Sequence, residues 1–68
     1  MTLQRRAAIA AGLPKERVLW GKPWDLAAAY SSEATANRES AKLRRKGDYR
    51  THVLRVGSYW CLFVRLSY

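Results

Sequence analysis

The chain has 68 residues, with 13 Lys and Arg against 5 Asp and Glu, for a formal net charge of +8. At this length it is expected to form a single domain, because a second could not bury a core of its own. One Cys excludes an internal disulfide, one Cys with one His falls short of a structural zinc site, and no apolar run approaches the roughly 20 residues of a membrane span.

Thr2 to Ala11 reads as a short helix, capped by Thr2, rich in Ala and stopped by Gly12 and Pro14. The pair Arg5-Arg6 ahead of an apolar stretch has the order of a signal peptide. That stretch is short and ends in Pro14-Lys15-Glu16-Arg17, so the expectation is instead a soluble, cytoplasmic protein. Residues 13–23 look irregular, with an extended piece over Arg17 to Trp20. Pro23 biases Lys22 away from helix. Trp24 to Tyr30 reads as a strand with Trp24, Leu26, Ala28 and Tyr30 on one side.

Ser31 or Ser32 offers an N-cap, and Glu33 suits the positive end of a helix dipole. The helix that follows is expected to run to Lys46 and stop at Gly47. Tyr49 to Val56 and Tyr59 to Tyr68 are rich in aromatic and β-branched residues and read as strands. Gly57-Ser58 joins them as a two-residue turn with Gly first. The expected fold class is therefore α+β. A short N-terminal helix precedes a β-α-β-β unit whose long helix packs on a three-stranded sheet ending in a hairpin.

Counting outward from the turn fixes the hairpin register. Arg55/Trp60, Val53/Leu62, Thr51/Val64 and Tyr49/Leu66 share one side with Tyr68. That side is largely apolar and is assigned to the core, with Arg55 over Trp60 as a cation–π pair. Val56/Tyr59, Leu54/Cys61, His52/Phe63 and Arg50/Arg65 share the other, which grades from apolar at the turn to cationic at the far end. Two opposed arginines repel, so solvent, a nearby acid such as Asp25 or Asp48, or a bound phosphate must offset them. The apolar end of this side suits cover by the N-terminal helix, with the basic end left open.

On the long helix Arg38, Lys42 and Arg45 fall at i, i+4 and i+7 and line one face, while Ala36, Ser40 and Leu43 line the opposite one. The stripe reads either as a solvated face or as an electrostatic footprint for nucleic acid. Phe63-Val64 matches the Phe-Val core of the motif of RNA-recognition sheets, but Tyr59-Trp60-Cys61-Leu62 fails its first half, so that family is not assigned. A helix-turn-helix is excluded by Pro14 and the segment Trp20-Gly21-Lys22-Pro23, which leave no room for a recognition helix. Trp20 and Trp24 read as core or edge cover, His52 as a hydrogen-bonded His and Cys61 as a buried thiol. There is no carboxylate pair, nucleophile–base pattern or phosphate-binding Gly loop, so neither an enzyme nor a cofactor or metal is expected.

Charge and aromatics together point to a small nucleic-acid-binding protein. Its contacts would come from Arg38, Lys42, Arg45, Arg50 and Arg65, with His52, Phe63 or Tyr59 as stacking surfaces. The alternative is a protein-interaction module that meets an acidic protein surface, or that dimerises through the final strand as an open edge. The β-α-β-β format over residues 24–68 resembles that of many small proteins carried by phages and other mobile elements, including anti-CRISPR inhibitors. The resemblance implies an inhibitor acting on a nucleic-acid-handling complex. Convergence of the five cations on one open surface would favour nucleic acid. Their scatter, with an apolar patch holding Trp20, Trp24 or Phe63 exposed, would favour a protein partner.

Overall fold

A computed structural model describes residues 2–66. It contains β1 (Thr2–Gln4), α1 (Arg5–Ala10), β2 (Glu16–Leu19), β3 (Lys22–Tyr30), α2 (Glu33–Arg45), β4 (Tyr49–Val56) and β5 (Tyr59–Leu66). The α+β class and the long helix on an antiparallel sheet are as expected, but the sheet has five strands and the chain enters it with a strand. Thr2 to Gln4 pairs with Ala28 to Tyr30, so the helix begins only at Arg5, with no side-chain cap from Thr2. The open edge of β3 offers backbone partners that override local helix preference, and Leu3 packs into the core from there.

The segment expected to be irregular holds a second hairpin. Glu16 to Leu19 pairs with Lys22 to Asp25 across the two-residue loop Trp20-Gly21. Both loop residues have positive φ, 52° and 74°, as a type I′ turn requires. Pro23 stands opposite Val18 in a non-hydrogen-bonded pair, so its missing N–H breaks no bond to β2. β2 and β1 thus occupy successive stretches of one edge of β3. At the junction the Leu26 N–H donates to the Lys15 carbonyl at 2.9 Å, and the Leu26 carbonyl accepts from the Arg5 guanidinium at 3.2 Å.

Across the sheet the order is β1-β3-β5-β4, with β2 beside β3. The final strand is therefore central rather than an edge, paired by β3 on one side and β4 on the other. The proposed dimer edge is thereby overturned, because the backbone groups of β5 are committed to its two neighbours. β4 is the edge on that side. The last two residues of the expected strand, Ser67 and Tyr68, lie outside the described residues. The β4–β5 register is the one the two-residue loop dictates. Gly57 has φ 61° and Ser58 does not have positive φ, which makes the turn type II′. Arg55 sits 5.6 Å from the Trp60 ring centroid.

The expectation that Trp24, Leu26, Ala28 and Tyr30 share a side fails at a bulge. Leu26 pairs with Phe63 but Ala28 with Leu62, leaving Ala27 as the extra residue. Trp24, Leu26 and Ala29 therefore face one layer, and Ala28 and Tyr30 the other. The sheet buries both faces. Trp24, Leu26, Ala29, Cys61 and Phe63 pack with Ala8 of α1, joined by Leu54, Val56 and Tyr59. Ala28, Tyr30 and Leu62 pack with Ala36 of α2, joined by Leu43, Val53 and Val64.

The Ser32 hydroxyl accepts from the Thr35 N–H, capping α2 at its start, and Lys46 closes it. Small residues on its inner face let it lie close to the sheet. Buried Ser40 meets the Thr51 hydroxyl of β4 at 2.7 Å. Thr51→Val should cost about 1 kcal/mol by leaving the Ser40 hydroxyl without that partner. Adding Ser40→Ala should recover most of the loss, as read from urea midpoints of the two variants.

Tyr30, buried beside α2, has its phenol pushed above the ordinary range by burial first and by the Glu39 carboxylate second. Burial likewise raises the Cys61 thiol, against a smaller lowering by Arg17. Both groups are held neutral in the fold, so the folded state binds more protons than the unfolded chain in alkali. The stability this supplies is whole below the ordinary pKa values and is lost as pH rises past them. Thermal midpoints should therefore fall above about pH 9, and fall less steeply above pH 10 in Tyr30→Phe.

Candidate functional site

The α1-side face is covered only in part. α1 roofs β3, with Ala8 buried in a cluster that Tyr59, Leu54 and Val56 join toward the Gly57-Ser58 turn. The far end of the sheet extends beyond that roof. There Arg17 of β2 stands opposite Trp24 of β3, and Arg65 of β5 stands opposite Arg50 of β4. The Arg65 guanidinium lies 5.8 Å from the Trp24 ring centroid, which joins the two pairs into a single row. The row crosses four strands, or three strand spacings, about 14 Å. Lys22, two residues before Trp24, extends the positive charge on the same side.

Aromatic rings stand over this row. The Trp24 indole N–H donates to the Leu19 carbonyl at 3.3 Å, tying the ring to the β2–β3 hairpin, and Trp24 is only 7% exposed. Trp20, at the tip of that hairpin, is 74% exposed, the most open large apolar side chain described. Its ring meets His52 at 5.0 Å and Trp24 at 5.9 Å, both edge-to-face, and Trp24 meets His52 at 6.4 Å. A non-glycine residue in the left-handed region costs about 1–2 kcal/mol. Trp20 is held there at the centre of this cluster.

Among the described strand residues no carboxylate shares the row. Glu16 and Asp25 face each other on the opposite side of the sheet, next in register to Arg17 and Trp24. Among the described residues the one ion pair is Lys42 with Glu39, at 3.0 Å on α2. No described acid, Asp25 and Asp48 included, forms an ion pair with Arg50 or Arg65, and the Arg65 guanidinium is offset by the Trp24 ring face.

The residues singled out in the sequence do not all meet. Arg50, Arg65 and His52 belong to the site. Arg38, Lys42 and Arg45 are exposed on α2, on the other side of the sheet. Phe63 is fully buried between Leu26 and His52, so it forms the floor and offers no surface for stacking. Tyr59 lies at the turn end, packed against the cluster that buries Ala8, away from the cationic row.

Comparisons with protein-family models, curated proteins and solved structures find no match.

Arg17, Trp20 and Trp24 are the members that sequence reasoning left out. Their signal was present in Leu19-Trp20-Gly21-Lys22, where Gly at the second place of a two-residue loop between extended segments marks a hairpin. Trp at the first place is not a turn residue, which hid it.

Two hollows adjoin α2 on the opposite face. One, about 310 Å³, is lined by Gln4, Tyr30, Lys42 and Lys46 among others. The second, about 220 Å³, lies among Ala27, Leu43, Tyr49 and Val64. Neither carries an arrangement of reactive groups. Among the described residues no three His, Cys, Asp or Glu side chains gather as a metal site, and no helix is long and apolar enough to cross a membrane.

Proposed function

We propose that this chain binds nucleic acid through phosphate contacts from Arg17, Arg50 and Arg65 at the open end of the sheet. The observation that carries the reading is three guanidinium groups in one cross-strand row, none of them ion-paired among the described residues. Arginine forks suit phosphate oxygens, and a strand-wide row tracks a backbone rather than a single anion. Binding of this kind is directed to the backbone and weakens with salt, because each contact releases condensed counterions.

The test is titration of the protein into labelled single- and double-stranded oligonucleotides at 50 and 200 mM salt. Micromolar or tighter binding that weakens with salt supports the reading. No binding at low salt, from a chain of charge +8, overturns it.

A second reading is the one the criterion set out from the sequence favours, because the five cations divide between the two sides of the sheet and Trp20 stands exposed. The α2 stripe of Arg38, Lys42 and Arg45 lies on the far side of the sheet from the row, which fits an acidic protein surface meeting α2. The chain would then be a protein-directed inhibitor or adaptor, and charge reversal on α2 rather than on the row would abolish its action.

A further inference from the structure

We infer that the site prefers single-stranded nucleic acid, with one unpaired base laid on the Trp20 indole. This rests on the phosphate-binding reading above and adds to it a substrate class and a stacking residue. Trp20 is 74% exposed, and its contacts with His52 and Trp24, inclined at 81° and 64°, are edge-to-face. Among the described residues no ring lies parallel to it, so a flat partner finds an exposed indole face to cover. Its backbone, at φ 52°, is in a conformation that Asn, Asp or Gly adopts with less strain. For the fold alone, an indole is a poor choice at this turn: it buries little area and adds strain. As a platform it is well placed, at the tip of a hairpin whose strands carry Arg17 and Trp24, with Arg65 against Trp24. Phosphates on the row and a base on Trp20 are then held together. A duplex supplies the phosphates but keeps its base faces stacked inside, so only an unpaired strand uses both halves of the site.

The experiment compares three labelled probes of equal phosphate number: a single-stranded oligothymidine, the same backbone with every base removed, and a duplex. Each is titrated with the native chain, with Trp20→Asn and with Trp20→Phe, and thermal midpoints are measured alongside. The native chain should bind the single strand at least about tenfold tighter than the abasic strand. Trp20→Asn should weaken single-strand binding between about 5- and 100-fold, with abasic and duplex binding unchanged and a midpoint no lower than native. Trp20→Phe should restore most of the lost affinity. Equal binding of single and abasic strands by the native chain overturns the stacking inference and leaves the phosphate reading standing. So does single-strand binding unaffected by Trp20→Asn. Failure of all three probes to bind the native chain at low salt overturns the phosphate reading, and the inference with it.

Discussion

Phe63→Ala is expected to lower the urea midpoint of unfolding by roughly half. Phe63 is the largest fully buried side chain and lies mid-sheet, between Leu26 of β3 and His52 of β4. Truncating a buried Phe costs about 3–5 kcal/mol, part in lost transfer free energy and part in the cavity left behind. A chain of this size has a total stability of about 3–10 kcal/mol, so the loss takes roughly half of it. Neighbours cannot easily close the gap, because Trp24 is tied to the Leu19 carbonyl, Cys61 is paired on both sides, and Leu26 is held by β5 on one side and by its bonds to Lys15 and Arg5 on the other. Urea unfolding followed by circular dichroism measures the effect. A midpoint close to native would mean that Phe63 is not the keystone of the α1-side layer. Because Phe63 also floors the aromatic cluster, the variant should bind nucleic acid more weakly.

Reversing both opposed arginines, Arg50→Glu with Arg65→Glu, should weaken oligonucleotide binding by about 100-fold or more at 50 mM salt, two lost contacts at a few kcal/mol each with added repulsion. For a single strand held at three phosphates the slope of log affinity against log salt is about −2, and it should shrink to about −0.7. Fold stability should fall by about 1 kcal/mol, since one like-charged cross-strand pair replaces another but the Arg65 contact with the Trp24 ring is lost. The decisive control is Arg38→Glu with Arg45→Glu on α2, which changes net charge by the same amount on the other side of the sheet. It should weaken binding by less than about fivefold, the residue of a general field effect. Equal losses in the two variants would show that net charge and not the row governs affinity.

The parts of this architecture that were legible in the sequence are those set by local chemistry. Gly57-Ser58 dictates a two-residue loop, and every β4–β5 pair follows from it. Ser32 and Gly47 bracket α2, and its small inner residues anticipate a close fit on the sheet. The parts that were not legible depend on distant partners or lack contrast. Three residues, Thr2 to Gln4, are too few to show a period of two, and they form a strand only because β3 has a free edge there. The bulge falls in Ala27-Ala28-Ala29, where identical residues carry no sign of which face each takes. The central position of β5 does have a trace: Trp60 to Val64 is an unbroken apolar run, the mark of a strand buried on both sides. The site was read only in part for the same reasons. Arg50, His52 and Arg65 followed from the hairpin count, whereas Arg17, Trp20 and Trp24 needed the unrecognised β2–β3 hairpin.

The interior position of β5 also sets an order of assembly. β4 and β5 adjoin through a tight turn and can zip together on the microsecond scale of an isolated hairpin. β3 must then find β5 across the whole of α2 and β4, pairing Asp25 with Val64 and Tyr30 with Trp60. That closure spans the longest loop of any strand pairing in the sheet, and the intervening chain gains no direct pairing with β3 to offset it. Until it happens, Phe63, Leu62 and Cys61 lie on an open hairpin, and each new molecule passes through an interval in which its most aggregation-prone strand has one unpaired side.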